Sequence, residues 1–556
     1  MAVFLLLCII IGDKINTMIK PAKTFLLLIL LLGSQLFTDG KLLASHYMGG
    51  EITWECLSNG RFRFIMKLYR ECNGITYSTG EIMHIQGYPG LTQITMALKP
   101  GANPHDGDDG IIDGKTDISP HCWNYASQIK CLPTPSTANT GAIEEWYFTS
   151  DVAYPAGVLL SGVPPASGWI FYNDGCCRNP SVNMVNPTSE DWFLRAIMYP
   201  YNGQNTNPCY DNSPVFAEVP STVICTGYPF KYNHNATDKE LDSLAFSWAP
   251  ALQNATTNMG YTATYTYNSP LPGTAQNPLN VPATMNPYNG EISYTSYTSG
   301  AFVTVTKVTA YRCGIKIAEI FREMQIVLLA CPGSNSPPTV AGPFYNPVSG
   351  IYEFTDTVYA GDTVDVDITG IDYGVLPNGN PQTVSLEASG QDFGAGFVSE
   401  ASGCPRPPCA TLTPPPTLSA MLAVSTHFHW RTTCDHLTHP ASITGIPGVC
   451  GTMFNVHNFV IKVYDDFCPA PGIKIATISI VVLPVPVLPP PEVKCTSVDL
   501  NGDITLNWIP PIDTMNSFNG FYVYHSSSPT GPFVKIDSIF DINQTTKTYS
   551  GLGGNT

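Results

Sequence analysis

Hydrophobic and polar positions alternate in short runs along most of the chain. Phe62, Phe64, Met66 and Leu68 occupy every second position of one run, as expected of a half-buried strand. Turn segments such as Ser58-Asn59-Gly60 separate such runs, and long helical patterns are missing after residue 45. The pattern therefore predicts an all-β protein built from short strands.

The first 44 residues follow a different pattern. Two apolar runs, Val3–Ile11 and Phe25–Leu32, lie there, and Lys20 and Lys23 precede the second. Both are shorter than the roughly 18–20 apolar residues that span a bilayer. This order of charge, apolar run and small residues predicts a signal peptide at 1–44, with Met18 as an alternative start. An uncleaved N-terminal anchor remains the other interpretation.

Pro-rich and Gly-rich segments divide the remainder into four regions. We expect an N-terminal β domain at 45–224, a β-sandwich at 225–335, a second immunoglobulin-like sandwich at 336–486 and a last module at 487–556. The predicted fold is thus tandem immunoglobulin-like β-sandwiches after an N-terminal signal segment.

The last module resembles a fibronectin type III module. Trp508 lies on its second predicted strand and Phe521–Tyr524 form its third. Such a module needs about 90 residues, whereas 65 follow residue 491. We therefore expect a partial module and a chain that is the N-terminal part of something longer.

Charge and cysteine content indicate which partners are disfavoured and in which compartment the protein works. The 26 Lys and Arg residues against 43 Asp and Glu give a formal charge of −17, which disfavours binding to nucleic acid or to an anionic membrane. Of the 17 cysteines, all but Cys8 lie after the leader, and this even number suits disulfides in an exported protein. Local candidates are Cys56/Cys72, Cys122/Cys131, Cys404/Cys409 and Cys225/Cys331, whereas Cys176 and Cys177 are expected to have separate partners.

Signals for catalysis are poor. The chain contains no His-Glu-x-x-His and no Gly-x-Ser-x-Gly sequence. The segment Gly110–Thr116 imitates a phosphate loop but has three residues between its glycines where four are needed. We therefore predict a protein that is not an enzyme.

Acidic residues supply the candidate metal sites, and calcium is the candidate ion. Asp238, Glu240 and Asp242 stand at alternate positions of a predicted loop, and Ca²⁺ prefers six to eight hard oxygen ligands. Two further candidate clusters are present: Asp106, Asp108 and Asp113; and Asp372, Asp465 and Asp466. The competing interpretation is a solvated polar turn in each case.

Two other patterns leave alternatives open. His427, His429, His436 and His439 with Cys434 could hold zinc, but we expect Cys434 to be a disulfide partner and the histidines to pack or face solvent. Tyr261, Tyr265, Tyr267, Tyr294 and Tyr297 could form contact patches, although cross-strand packing is the expected role of such residues.

Ten short segments together resemble one family: Ala44–Ile52, Leu68–Asn73, Gly175–Asn179, Asp211–Phe216, Ala236–Asp238, Leu241–Leu244, Phe321–Ile326, Ala388–Gly390, Phe428–Trp430 and Val463–Asp466. They resemble the N-terminal part of large, secreted, adhesin-like surface proteins of gliding bacteria. The resemblance implies cadherin-like or PKD-like sandwiches and export through the outer-membrane machinery of type IX secretion. It also implies calcium in an Asp-rich loop, although Leu241 stands where the family often has glycine.

The function expected from these features is extracellular surface contact, in adhesion or associated with gliding. The ligand would be a surface glycan or a protein, and we expect neither a nucleic-acid partner nor a transmembrane span. Two alternatives remain, namely accessory substrate-binding modules of a secreted hydrolase and a structural subunit of a surface layer or filament.

Overall fold

The computed structural model describes residues 47–552, apart from 73, 100–113, 121, 123–128, 132–141, 202–208, 210, 221–222, 332–334, 438–453, 486–487 and 514–517. The predicted leader at 1–44 lies outside these residues. Within them, helical conformation is confined to 3-10 turns, at Pro187–Ser189, Ala395–Phe397 and Cys434–His436. The all-β prediction is therefore confirmed. None of the described helical segments has the length and apolar character that a membrane span requires.

The first body contains nineteen described strands, most of them short: β1 (Tyr47–Cys56), β2 (Phe62–Glu71), β3 (Gly80–Gln86), β4 (Gln93–Leu98), β5 (Lys115–Asp117), β6 (Ile143–Thr149), β7 (Trp169–Gly175), β8 (Trp192–Met198), β9 (Val215–Phe216), β10 (Val223–Cys225), β11 (Pro229–Asn233), β12 (Ala236–Thr237), β13 (Ser243–Trp248), β14 (Leu252–Asn254), β15 (Thr257–Asn258), β16 (Val281–Met285), β17 (Glu291–Thr295), β18 (Gly300–Arg312) and β19 (Ile315–Leu329). Twelve of them form one sheet.

The long strand β19 joins both ends of this sheet. Strands β1-β2-β6-β4-β3-β7-β8 form a path in that order, and both β8 and β1 pair with β19, so that the path closes. β10 pairs in parallel with the next residues along that same edge of β19. β18 pairs with the opposite edge of β19, in antiparallel orientation. Regions 45–224 and 225–335 therefore share one sheet across the expected boundary, because β18 and β19 supply the edge that completes the N-terminal strands.

Burial explains why β19 can hold this position. Every residue from Ile317 to Ile326 is buried, so neither face of the strand meets water. Ala318 and Ile320 belong to the core inside the closed path, together with Trp54 and Phe64 of the N-terminal strands. A strand with two buried faces must pair every charged side chain that it carries, because an isolated buried charge costs several kcal/mol.

Two Arg–Glu pairs meet this requirement. Arg322 donates from Nε to Glu51 of β1, and the exposed fraction of the Arg322 side chain is 0%. Arg178 donates from Nε to Glu323 over 2.7 Å, with 1% of its side chain exposed. Burial by itself would lower the pKa of Arg322, but the Glu51 carboxylate more than offsets it, so the pKa of this guanidinium is raised.

The second body is a sandwich of two main sheets. Its strands are β20 (Thr339–Val340), β21 (Phe344–Asn346), β22 (Ile351–Glu353), β23 (Thr355–Tyr359), β24 (Thr363–Ile371), β25 (Thr383–Ser389), β26 (Thr411–Thr413), β27 (Leu418–Met421), β28 (Ala423–Arg431), β29 (Asn455–Tyr464) and β30 (Ile473–Leu483). One sheet has the order β20-β24-β28-β26 and the other β23-β30-β29-β25-β27. Phe428, Trp430 and Phe459 pack between them.

The sandwich packs directly on the first body. Val460 and Ile475 belong to a core cluster that also contains Phe230 and Tyr232 of β11. Polar contacts accompany it, including Asn233 Nδ2 to Thr477 Oγ1 at 2.9 Å. The disulfide Cys122–Cys468 adds a covalent link between the two bodies. Apolar area, hydrogen bonds and a covalent bond together hold the bodies in one arrangement.

The last module has its own small core. Its strands are β31 (Glu492–Val498), β32 (Ile504–Ile509), β33 (Phe521–His525), β34 (Val534–Ile539) and β35 (Thr546–Tyr549). They form the sheets β31-β32-β35 and β33-β34, and Trp508, Phe521 and Ile539 pack between them. Trp508 and Phe521 thus lie on the second and third strands of the module, as the sequence predicted, and both are buried.

The disulfides confirm two expected pairs, Cys225–Cys331 and Cys404–Cys409. The pairing Cys56/Cys72 is wrong because the β1–β2 hairpin places these residues at its opposite ends. Cys56 bonds to Cys209 and Cys72 to Cys131. The expectation of Cys122/Cys131 is also wrong, since Cys122 reaches Cys468 of the sandwich.

Three further cysteines differ from expectation. Cys176 and Cys177, which were expected to have separate partners, bond to each other. Cys434 is a free, exposed thiol and not a disulfide partner.

The buried pair yields a stability prediction. We expect Arg322→Met to lower the free energy of unfolding of the first body by about 3–5 kcal/mol, because Glu51 would remain buried with only the more distant Lys67, at 3.8 Å, as a cation. Chemical denaturation followed by tryptophan fluorescence measures this loss.

Arg63→Met is the matched control. Arg63 pairs with Glu55 and Asp151, but 35% of its side chain is exposed, so we expect a loss of about 1 kcal/mol or less. Equal losses in the two variants would contradict the role assigned to Arg322.

Candidate metal centres

The first predicted acidic loop folds into a compact turn between β12 and β13. Asp238 Oδ1 accepts hydrogen bonds from the backbone N–H groups of Glu240, at 3.0 Å, and Asp242, at 2.9 Å. Leu241 has a φ of 65°, in the left-handed region that glycine adopts at low cost. The chain therefore forms the tight turn with leucine at this position, and the buried Leu241 side chain contributes apolar contact in return.

Two residues that the sequence analysis missed join this loop. Arg312, at the end of β18, donates from Nη2 to Asp211 Oδ1 over 2.8 Å and to Asp242 Oδ2 over 2.6 Å. Glu240 accepts from the side-chain amide of Asn212. We call Asp211, Asp238, Glu240, Asp242 and Arg312 the loop centre. No local signal identifies Asp211 or Arg312, because Arg312 lies 101 residues from Asp211 along the chain.

The loop centre contains more buried acids than cations. Burial raises the pKa of Asp211, Asp238, Glu240 and Asp242, and the neighbouring carboxylates raise that of Asp211 and Asp238 further. Arg312 opposes this effect, but it is one cation among four acids. Asp211 Oδ2 and Asp238 Oδ2 are buried without a hydrogen-bond partner. These two oxygens are the observation that fits a cation here.

The third predicted cluster forms a second site. It lies where the segment between β19 and β20, which we call the linker, meets the sandwich. Asp465 Oδ1 accepts from the backbone N–H groups of Phe467, at 2.9 Å, and Gly472, at 2.8 Å. Its Oδ2 accepts from Asn335 Nδ2 at 2.8 Å, and Asn335 Oδ1 accepts from Gln382 Nε2 at 2.7 Å.

Asp372 and Asp466 flank this network. Asp372 Oδ1 accepts from the Gly374 N–H over 2.7 Å, and Asp466 Oδ1 accepts from the Thr383 N–H over 3.0 Å. We call Asn335, Asp372, Gln382, Asp465 and Asp466 the linker centre. Asn335 and Gln382 were missed because amides in a Pro-rich linker and a loop give no metal signal by themselves.

The linker centre lacks a counter-ion among the described residues, where no Lys or Arg forms an ion pair with its three carboxylates. Burial raises the pKa of Asp465 to about 7 and also raises that of Asp372. Asp372 Oδ2 and Gln382 Oε1 are buried without a partner. Carboxylate and amide oxygens are the hard donors that Ca²⁺ prefers, so this donor set fits calcium.

Neither centre is closed around an ion. In the described part of the chain, no three carboxylates of either centre present oxygens that all lie within 4.8 Å of one another. Calcium would therefore have to draw these side chains together, and in the loop centre it would compete with Arg312. The remaining predicted cluster, Asp106, Asp108 and Asp113, lies outside the described residues.

The expected zinc set is dispersed. His427 and His429 share the outer face of β28 because side chains alternate along a strand, whereas His436 is buried and its Nε2 lies 2.8 Å from the carbonyl oxygen of Arg406. Because Cys434 is exposed and His436 points elsewhere, these residues do not converge. His439 lies outside the described residues.

The tyrosine runs divide between core and surface. Tyr265 packs on Phe302 and Tyr294 on Phe230, both within one core cluster. Tyr267 and Tyr297 are exposed. Tyr294 therefore has the cross-strand packing role, because it lies opposite Phe230 in the β11–β17 pair, whereas Tyr265 packs into the core from outside the strands.

One acid–base pair has the contacts of a catalytic dyad but no access to substrate. Asp392 Oδ2 lies 2.7 Å from His457 Nδ1, and His457 Nε2 lies 2.8 Å from the carbonyl oxygen of His436. The exposed fractions of the two side chains are 5% and 1%. The pair therefore stabilises the sandwich interior.

A cavity of about 360 Å³ lies between the last module and the Pro-rich segment that follows β30. It is lined by Val485, Leu488, Pro489, Pro490, Pro491, Pro511, Phe518, Asn519, Gly520 and Phe521. None of these residues is an acid, a base or a nucleophile.

No protein-family model and no curated protein matches this chain. Among solved structures, the chain is similar to titin domains A168–A170, with 12% identity and a TM-score of 0.15 over 60% of this chain and 87% of that one. It is similar to the FN1–FN3 domains of chicken CNTN1, with 9% identity and a TM-score of 0.11 over 61% and 87%. For cadherin-like domains 1 to 4 of zebrafish RET the values are 10% and 0.13 over 56% and 59%. TM-scores this low carry no argument, and the fold class rests on the sheets described above.

The linker centre gives two predictions for Asp372→Asn, one in the absence of calcium and one in its presence. In the presence of a chelator the substitution should raise the melting temperature, because it removes a buried charge whose Oδ2 has no partner. Excess Ca²⁺ should raise the melting temperature of the unmodified chain and should do so much less in the variant. Binding at 100 times the dissociation constant stabilises by about 2.7 kcal/mol. Calorimetric melting with and without Ca²⁺ measures both effects.

Asp499→Asn is the matched control, because Asp499 accepts turn hydrogen bonds from Asn501 and Asp503 in an exposed loop of the last module. It should leave the response to calcium unchanged, and Asp238→Asn would report on the loop centre separately. Identical melting curves with Ca²⁺ and with chelator would exclude both centres as calcium sites.

Proposed function

We propose that this chain is a non-catalytic, extracellular, modular surface protein that acts in adhesion or in gliding-associated surface contact. The observation that carries the proposal is the joining of the first body and the sandwich into one packed unit. A unit held in this way keeps a binding surface at a fixed distance and angle from whatever anchors it.

The disulfides support an extracellular location. Cys122–Cys468 and Cys56–Cys209 join residues 346 and 153 positions apart, and each bond persists only in an oxidising compartment. Long closed loops also restrict the unfolded chain, and they stabilise the folded state by a few kcal/mol each. Such stability suits a protein that works outside the cell.

The placement of polar groups supports a role without catalysis. The acid–base pair Asp392–His457 is buried, and the cavity beside the last module is lined mainly by apolar residues. Catalysis needs reacting groups that converge at an accessible position. A packed β unit with separate acidic centres is better suited to holding a ligand or an ion.

Calcium has a mechanical role in this proposal. Asn335 belongs to the linker, while Asp372, Gln382 and Asp465 belong to loops of the sandwich. An ion held by these oxygens would bind the linker to the sandwich and suppress motion between the two bodies. Asn335 already makes part of this connection through hydrogen bonds, and the ion would strengthen it.

The function is tested by coating beads with the purified chain and measuring pull-off forces on surfaces that carry different bacterial and host polysaccharides. We expect specific adhesion to at least one surface, weaker adhesion in a chelator, and a monomer in light scattering. Beads coated with reduced and alkylated chain are the control for unfolded protein.

Two results would overturn this proposal. Release of new reducing ends from a bound polysaccharide by the secreted protein would favour the accessory modules of a hydrolase. Growth of ordered assemblies by the purified chain, without adhesion, would favour a subunit of a surface layer or filament. A gene-disrupted strain that adheres and glides like its parent would also contradict the proposal.

A further inference from the structure

A row of alternating acids and histidines crosses the outer face of the sandwich. β24 and β28 pair in antiparallel register, with Asp365 opposite His429 and Asp367 opposite His427. Neighbouring positions on both strands, such as Val364 and Phe428, point into the core. Because side chains alternate along a strand, all four polar residues face the same side of the sheet.

Contacts along this row alternate between short and long. Asp367 Oδ1 lies 2.8 Å from His427 Nδ1, and His427 Nε2 lies 3.5 Å from Asp365 Oδ1. Asp365 Oδ1 lies 2.6 Å from His429 Nδ1, and His429 Nε2 lies 3.6 Å from Glu400 Oε1. We call Asp367, His427, Asp365, His429 and Glu400 the acid–histidine row.

In the neutral form of each imidazole, the short contact decides which ring nitrogen carries the proton. A carboxylate can only accept a hydrogen bond, so Nδ1 of His427 carries the proton shared with Asp367. The lone pair of its Nε2 then faces Asp365. His429 repeats the arrangement, with Asp365 at Nδ1 and Glu400 facing Nε2. A carboxylate on one ring nitrogen is the arrangement that orients histidine ligands around metal ions.

In that neutral form, each long contact brings a nitrogen lone pair against a carboxylate oxygen. Two acceptors that face each other repel unless a positive centre, either a second proton on the ring or a metal ion, lies between them. The separations of 3.5 Å and 3.6 Å also match the distance between neighbouring ligands of an ion. Ligands at about 2.0–2.1 Å in a tetrahedral arrangement stand roughly 3.3–3.4 Å apart.

We propose that the acid–histidine row binds divalent transition-metal ions of the zinc class. His427 Nε2 and Asp365 supply one pair of ligands, and His429 Nε2 and Glu400 supply another. The remaining positions are open to water or to donors of a second molecule. Imidazole ligands favour zinc, copper and nickel over calcium, so this site differs in chemistry from the two acidic centres. The proposal does not depend on the adhesive function.

The side chains can adjust to an ion. The exposed fractions are 46% for His427, 34% for His429 and 52% for Asp365. They are held by one another and not by core packing, so small rotations can bring them to metal-ligand distances. For the same reason, substitutions here should leave the fold of the sandwich intact.

The test uses the complete secreted chain with Ca²⁺ in excess, so that calcium-preferring sites are saturated. Zn²⁺ binding is followed by isothermal titration calorimetry, and Co²⁺ binding by visible absorption, which reports nitrogen ligation. We expect the double variant His427→Asn/His429→Asn to lose the signal in both measurements. Asp365→Asn should weaken binding at least tenfold.

His84→Asn is the matched control. His84 Nε2 lies 3.9 Å from Asp174 on the first body, in an exposed pair that has no second histidine. This variant should bind both metals like the unmodified chain, and unchanged melting temperatures would show that all variants are folded. Absence of Zn²⁺ and Co²⁺ binding in the unmodified chain would overturn the proposal, and so would equal affinity in the double variant.

Discussion

The pairing of Arg322 with Glu51 underlies the arrangement of the first body. β19 has both faces buried, and a strand in that position carries charge only where each charge finds a partner. Arg322 meets Glu51 on one face, while Glu323 meets Arg178 on the other. The same strand closes the N-terminal sheet and carries β18 on its second edge. If Arg322 or Glu323 lost its partner, a buried charge would remain on the strand that closes the N-terminal sheet.

The first body and the sandwich form one packed unit, and a smaller module follows it. Residues of β11 and β30 share a core cluster, and the Cys122–Cys468 bond crosses the same boundary. Motion between the bodies would expose apolar area and break hydrogen bonds, so it is costly. The linker centre lies at this boundary, which is why an ion there would have a mechanical effect. The last module follows a Pro-rich segment, and its core cluster consists of its own residues.

The three groups of charged residues follow different chemistry. The loop centre contains its own cation, Arg312, whereas the linker centre has oxygens without partners and no arginine or lysine ion pair among the described residues. The acid–histidine row is exposed and combines nitrogen with oxygen. Hard-oxygen and imidazole sites select different ions. If both proposals hold, one chain would present calcium-preferring and zinc-preferring positions without competition between them.

The sequence by itself determined the all-β class, the strand positions of Trp508 and Phe521, the common strand face of His427 and His429, and the acidic character of both centres. These features depend on alternation, turn residues and composition, which are local. Only the tertiary structure decided that Arg312 reaches Asp211, that Gln382 reaches Asn335, and that 45–224 and 225–335 share a sheet. Those contacts join residues far apart in the chain, and their register depends on which strands become neighbours. Local patterns carry no information on that choice, because many strand orders would bury the same apolar faces.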